Sequence, residues 1–401
     1  MAVILIGTLD TKGTEYAFVR DLIRDAGVET LTIDAGVMEP PAFSPDLSRE
    51  ELYGAAGKTY EEVRKEADRG KAIELAARGS AALISDLHTQ KKVDGILGLG
   101  GSAGTTIATS AMRALPFGIP KVMVSTLASG QVRQYVGVRD ILMMHSVVDM
   151  CGLNRLSRTV LHNAAQAIIG MVQHRLSPDT TGQDKPLVAA TMFGVTTPCV
   201  EAARKIVQEN DKEVLVFHAT GTGGQTMESF LSDGIISGVL DITTTELADE
   251  LVGGILSAGP DRLTAAASRG IPQVISLGAL DMVNFGPKDT VPEKFKNRLL
   301  YQHNPNVTLM RTTPEENDQL GKEIAQKASA SQGPVAVLIP RKGVSAIDKE
   351  GQPFWHPEAD QALFQSIKNW ISPQVKVFDL DCHINDPKFA EVASKTLLEM
   401  L

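Results

Sequence analysis

A chain of 401 residues exceeds the roughly 250–300 at which a single hydrophobic core stops growing, so two or three domains are expected. With 43% hydrophobic and 22% charged residues the composition is globular, and a formal net charge of −9 argues against a general nucleic-acid binder, which needs a strongly basic face. No apolar run approaches the ~20 residues of a membrane span, and the amino terminus reads as a strand rather than a secretory leader. The widely spaced Cys151, Cys199 and Cys382 fit a reducing cytoplasm better than a disulfide framework.

In chain order the pattern alternates strands with helices, as in a parallel sheet covered on both faces. Val3 to Ile6 is a β-branched run followed by the polar turn "GTLDTKGTE"; Phe18, Val19, Leu22 and Ile23 then share one helical face, and Thr30 to Ile33 is a second strand. Residues 39–80 form an insertion, a Pro-rich loop and then a charged helix ending near Gly79. Gly95 to Leu97 is a strand leading through "GLGGSAGTT" into a helix with Ile107, Ala111 and Leu115.

Residues 187–218 repeat the opening grammar: "LVAATMF", the turn "GVTTP", a helix and "VLVFH". Two later landmarks match in the same order: "DGILGLGGSAGTT" with "DGIISGVLDITTTE", and "GIPKVMVST" with "GIPQVISLG". The expected fold is therefore α/β, with two doubly wound, Rossmann-like parallel-sheet domains related by internal duplication and a ligand cleft between them. The domains are 1–180, carrying the 39–80 insertion, and 187–401, with the boundary in "SPDTTGQDKP", residues 177–186. The second half adds strands around Val307 to Met310, Val335 to Ile339 and Val375 to Leu380, and ends on a helix from Pro387.

Open α/β sheets bind ligands beyond the carboxyl ends of their strands, which directs attention to the polar turns. "GLGGSAGTT" lacks the Lys-Ser or Lys-Thr of a Walker loop and meets the dinucleotide fingerprint only in its looser form, Gly98, Gly100 and Ala103. It nevertheless offers backbone N–H groups at a helix start, so Gly100, Gly101, Ser102, Gly104 and Thr105 are expected to cradle a phosphate. The competing reading is that small residues only let the helix pack close. "ATGTGGQTMES", residues 219–229, is read as its counterpart in the second half, with Gly221, Gly223 and Gly224 forming an opposing wall and residues 221–226 lining the same pocket. In the first turn Asp10 suits a metal ion or a ribose hydroxyl, Lys12 a phosphate, and Thr8 and Thr11 hydrogen bonds. His218, Glu228 and His383 are the acid–base candidates; "DLDCHINDP" around His383 also reads as an Asx turn and helix cap.

"IGTLDTKGTE", "GLGGSAGT", "HATGTGGQTMES", "NFGPKDTVPEKF", "HNPNVTLMRTT", "GVSAID" and "DCHINDPKFA" together resemble the family formed by the amino-terminal ATP-binding domain of the tomato mosaic virus resistance protein and its bacterial and fungal relatives. The resemblance spans the whole chain and implies an ATP-binding, dimeric protein with the nucleotide on glycine-rich loops. The leading expectation is a cytoplasmic enzyme using ATP and Mg²⁺ on a small carboxylated or phosphorylated metabolite, without nucleic-acid or membrane partners. One alternative is a non-catalytic nucleotide-binding module that stabilises a homodimer or partner surface. Another is a nucleotide-independent hydrolase or lyase.

Overall fold

A computed structural model describes residues 1–176 and 184–401, so most of the expected boundary, residues 177–183, lies outside the described residues. The chain divides into two compact units, Met1–Thr180 and Thr181–Leu401.

The first unit runs β1 (Ala2–Gly7), α1 (Leu9–Asp25), β2 (Thr30–Asp34), α2 (Arg49–Ala55), α3 (Tyr60–Glu66), α4 (Arg69–Thr89), β3 (Val93–Gly100), α5 (Ser102–Arg113), β4 (Lys121–Ser125), α6 (Arg133–Val136), β5 (Leu142–His145) and α7 (Arg155–Gln173). Its five strands are all parallel, in the order β2-β1-β3-β4-β5. Alternation along β1 feeds two cores. Ile4 and Ile6 pack with α2, α4 and α5 residues such as Leu52, Leu75 and Ile107, whereas Val3 and Leu5 pack with Tyr16 and Val19 of α1 and Leu161 and Ile168 of α7. The sheet is thus wound on both faces, and its strand order reverses between β1 and β3.

The second unit runs β6 (Leu187–Met192), α8 (Thr197–Glu209), β7 (Glu213–His218), α9 (Thr222–Ser232), β8 (Gly238–Thr243), α10 (Thr245–Val252), α11 (Ala265–Arg269), β9 (Gln273–Gly278), β10 (Met282–Phe285), β11 (Leu300–Asn304), β12 (Val307–Arg311), α12 (Pro314–Ser329), β13 (Val335–Pro340), α13 (Pro357–Trp370), β14 (Lys376–Leu380) and α14 (Pro387–Leu398). The parallel sheet is ordered β14-β13-β9-β8-β6-β7. Counted along its own strands this is the first unit's order with one strand added, so β6, β7, β8 and β9 correspond to β1, β2, β3 and β4. Of the paired sequence landmarks, the Gly-Ile-Pro runs at 118–120 and 270–272 lead in the same register into β4 and β9, whereas Asp94 and Gly95 lie inside β3 and Asp233 and Gly234 precede β8.

Three local expectations are corrected. The insertion carries three helices, not one, and α4 runs through Gly79 to Thr89. Gly79 is a contact residue: a Cβ there would lie 2.1 Å from the Leu52 carbonyl oxygen of α2. The strand before the glycine loop extends to Gly100 rather than stopping at Leu97. Finally, Val307 to Met310 belongs not to the parallel sheet but to an antiparallel one, ordered β10-β12-β11.

Candidate functional site

The reversal point of the first sheet opens into a cavity of about 730 Å³, within the usual range of small-ligand sites. Thr8, Asp10 and Thr11 reach it from the start of α1, and Ala103 and Ile107 from α5. Residues after β2, including Val37 and Met38, form a side, and the insertion forms a roof through Tyr53, Val63, Arg64, Arg69 and Ile73. No side chain caps α5, whose N-cap is Gly101, so the first N–H groups of a twelve-residue helix lack an internal acceptor there.

The floor is rigid. Tyr16, fully buried, donates its hydroxyl to the Ile6 carbonyl (2.5 Å) and accepts the Leu99 N–H (2.9 Å), tying β1 to β3 where they diverge. A Cβ on Gly7 would fall 2.0 Å from that hydroxyl oxygen, so residue 7 has to be glycine. Asp34, at the end of β2, is spent on structure. Its Oδ1 accepts the N–H groups of Leu9 (3.1 Å) and Gly36 (2.8 Å), and its Oδ2 pairs with Arg49 (2.6 Å). Asp10 is spent only on one side: Oδ2 accepts the Val37 and Met38 N–H groups (both 3.1 Å), while Oδ1 is buried without a hydrogen-bond partner. The hydroxyl of Tyr53, a residue with no exposed surface, is likewise unpartnered. Burial pushes its pKa well above the ordinary phenol value, opposed by the charge of Arg49, so it stays a protonated donor.

Other expected site residues lie elsewhere. Lys12 directs its ammonium to the Met150 carbonyl. Thr105 is buried, its hydroxyl 2.7 Å from both the Gly101 carbonyl and Ser125 Oγ. Gly100 and Gly104 meet in the crossing of strand and helix, since a Cβ on Gly104 would lie 2.9 Å from the Leu99 carbonyl and one on Gly100 would lie 3.0 Å from Gly104 Cα. These glycines serve close packing; Gly101 has no protein atom within 3.7 Å of its would-be Cβ, and Ser102 is exposed. The insertion's contribution, above all Tyr53, Arg64 and Arg69, was missed because a charged amphipathic helix carries no sign of what it roofs.

In the second unit "ATGTGGQTMES" follows β7, the counterpart of β2, so it is not the equivalent of the 98–106 loop. That equivalent is the start of α10, whose second residue is Glu246. Glu246 Oε1 accepts the N–H groups of Gly221 (2.8 Å) and Gly224 (3.0 Å), filling with a carboxylate the anion position the glycines create. A Cβ at Gly224 would lie 2.2 Å from Glu246 Oε2, and Gly221 adopts φ of +80°, so the glycines are required by this internal clasp. Arg262, fully buried, holds the clasp together: Nε on Glu246 (2.7 Å), the two terminal nitrogens on Asp241 (both 2.6 Å) and a longer contact to Glu228 (3.3 Å). Burial opposes the guanidinium charge and is outweighed by Asp241, Glu246 and Glu228, which raise its pKa above the usual value. Glu228 also accepts the N–H groups of Leu263 (2.7 Å) and Ala265 (2.8 Å), which places it in structure rather than at a reaction centre. His218 is exposed at the end of edge strand β7. His383 has both ring nitrogens engaged: Nδ1 accepts the Asn385 N–H (3.1 Å), which leaves Nε2 to donate to the Ser345 carbonyl (2.8 Å). Asp386 Oδ2 accepts the His383 N–H (2.8 Å), three residues before it rather than two after, and Asp386, the N-cap of α14, makes no side-chain capping bond, so the expected Asx turn and cap is not formed and the turn is held by backward hydrogen bonds instead. Among the described residues no group of three or more His, Cys, Asp or Glu is placed to hold a metal ion, and no helix is long and apolar enough to cross a membrane.

His383 and Asp360 border a cavity of about 520 Å³ above a second buried charge cluster. Arg311 bonds Asp360 (2.6 Å) and sits 3.4 Å from Asp348; the carboxyl of Asp281 accepts from Ser345 Oγ (2.8 Å). Burial first, and the charge of Asp348 second, push the carboxyls of Asp281 and Asp360 well above the usual range, against the pull of Arg311. Asp249, buried beside Asn284, is pushed by burial from 3.8 up to about 7. Carboxyls with raised folded-state pKa values bind protons more tightly folded than unfolded. Their stability contribution is therefore full below pH 4 and is lost as pH rises through neutrality. The thermal midpoint is expected to fall as pH rises from about 4 to about 8, and Asp281→Asn, which fixes the neutral form, is expected to flatten that fall; an unchanged slope would show that Asp281 does not hold the proton.

Two family profiles match the chain end to end: the N-terminal domain of uncharacterised protein family UPF0261 over residues 1–177, and its C-terminal domain over residues 185–401. The chain belongs to the UPF0261 family. A UPF0261 protein of Clostridium tetani (strain Massachusetts / E88) is 52% identical over all of this chain and 98% of its own length. The ToMV resistance protein Tm-1(GCR237) of Solanum lycopersicum is 40% identical over 99% of this chain but only 55% of its own length. Among solved structures, a UDP-N-acetylglucosamine 2-epimerase from Rickettsia bellii aligns with 100% of this chain and 95% of its own at 11% identity. Its TM-score of 0.24 is too low to bear on either fold or ligand.

Proposed function

We propose that this chain is a cytoplasmic ATP-binding protein whose nucleotide occupies the cavity at the β1/β3 reversal point. The observation that carries the reading is the combination there of a ligand-sized space, an uncapped helix start and two unsatisfied buried polar atoms, Asp10 Oδ1 and Tyr53 Oη. The apolar lining of Val37, Met38, Val63, Ile73 and Ile107 suits a base, while Arg64, Arg69 and the α5 amides suit phosphates. Mg²⁺ would arrive on the phosphates, because the described residues offer no cage for it. The family resemblance supports the choice of ATP and a homodimer.

The first use expected of the bound ATP is phosphoryl transfer to a small carboxylated or phosphorylated metabolite. A second reading, nucleotide binding without turnover, is favoured by one observation: Glu228 and His383 are locked in structural hydrogen bonds. Titrating the protein with ATP and Mg²⁺ by calorimetry, then following phosphate release with and without candidate metabolites, tests both. Saturable binding supports the site, metabolite-dependent release selects the enzyme, and absence of binding at millimolar ATP overturns the proposal.

A further inference from the structure

Asp10 and Tyr53 both line the cavity, and each carries a buried atom, Asp10 Oδ1 and Tyr53 Oη, for which the described residues supply no hydrogen-bond partner. Leaving such groups unpaired costs about 1–3 kcal/mol each, so what satisfies them is informative about the ligand. Their chemistry differs. Asp10 presents an acceptor and is held in place by the Val37 and Met38 N–H groups; Tyr53 presents a hydroxyl that burial keeps protonated. A phosphate oxygen would satisfy Tyr53 and repel Asp10. A cation would satisfy Asp10 and leave the Tyr53 hydrogen without an acceptor. A ligand hydroxyl both donates and accepts, and adjacent hydroxyls serve both atoms together.

In many doubly wound sheets the acidic residue near the end of the second strand takes a ribose hydroxyl. Here that residue, Asp34, is closed off by Arg49, Leu9 and Gly36, and the unpartnered acceptor is Asp10 Oδ1 on the first turn. We infer that Asp10 and Tyr53 form a sugar-recognition pair that selects ligands bearing a vicinal diol. Resting on the nucleotide reading, this assigns the pair to the ribose of ATP and makes the site discriminate against deoxyribose.

The test compares ATP, 2′-deoxy-ATP, 3′-deoxy-ATP and ribose 5-phosphate by calorimetry on the parent protein, Tyr53→Phe and Asp10→Asn. In the parent, loss of the hydroxyl bonded to Asp10 is expected to weaken binding roughly ten- to hundredfold, as for hydrogen bonds to charged groups. Asp10→Asn keeps an acceptor for the Val37 and Met38 amides and puts a donor at the other position, so the preference for ribose should collapse. Tyr53→Phe should narrow it severalfold while leaving the unliganded thermal midpoint unchanged or higher, since the hydroxyl it removes has no partner to lose. Equal affinity of the parent for ATP and both deoxy analogues overturns the sugar pair and leaves nucleotide binding standing. Binding of ribose 5-phosphate without ATP does the reverse, and failure of all four ligands overturns both.

Discussion

Replacing Arg262 by Met is expected to destabilise the second unit by about 3–5 kcal/mol, the usual penalty for removing one partner from a buried ion pair. The guanidinium is the cation for Asp241 and Glu246, which are both essentially inaccessible, and it touches Glu228 as well. Without it, Asp241 and Glu246 would have to take up protons, and Asp241 also accepts the Thr191 hydroxyl at 2.7 Å inside the sheet. Glu246→Gln is the milder change. The amide oxygen still accepts from Gly221 and Gly224, but the amide nitrogen then faces Arg262 Nε donor to donor, so that one bond is lost while Arg262 keeps Asp241, and the cost should be about 1–3 kcal/mol. Urea unfolding of both variants checks the order. A midpoint for Arg262→Met equal to that of Glu246→Gln would mean that the cluster is not held by its cation.

This clasp marks where the sequence stopped being informative. The strand and helix order was legible because β1, β6 and their successors are near-continuous apolar runs, and the shared strand order was legible in part because matching Gly-Ile-Pro runs lead into β4 and β9. The antiparallel sheet was not: β11, "LYQHN", is mostly exposed, and β10, "MVNF", is four residues long, too short to show a period. Of the candidate site, Thr8, Asp10 and Thr11 were found because a polar turn after the first strand of a doubly wound sheet has few other places to be. The roof was missed since its pattern is that of a solvated helix. The glycines misled for a physical reason: a backbone approached closely by a phosphate and one approached closely by a helix or by Glu246 need the same residue, and only the partner, distant in sequence, distinguishes them.

The duplication itself supplies the sharpest test of the open site. Ala103 is the second residue of α5 and Glu246 the second residue of α10, on corresponding helices that follow corresponding strands. From that position Glu246 reaches across to the loop after β7, where its carboxylate takes the free amides. Ala103, with its methyl side chain, leaves the matching space in the first unit open, bordered by the loop after β2. Ala103→Glu should therefore close the first unit as the second is closed, placing a carboxylate among the N–H groups and arginines that the phosphates need. The fold should tolerate it, because residue 103 borders a cavity and a carboxylate in the first turn of a helix contributes about 0.3–1 kcal/mol of stabilisation. ATP affinity should fall at least a hundredfold, equivalent to about 2.8 kcal/mol, with the unfolding midpoint unchanged or slightly raised. Ala103→Gln, similar in size but uncharged, should lose less, which separates repulsion from filled volume. If Ala103→Glu binds ATP as the parent does, the nucleotide does not lie between α5 and the roof.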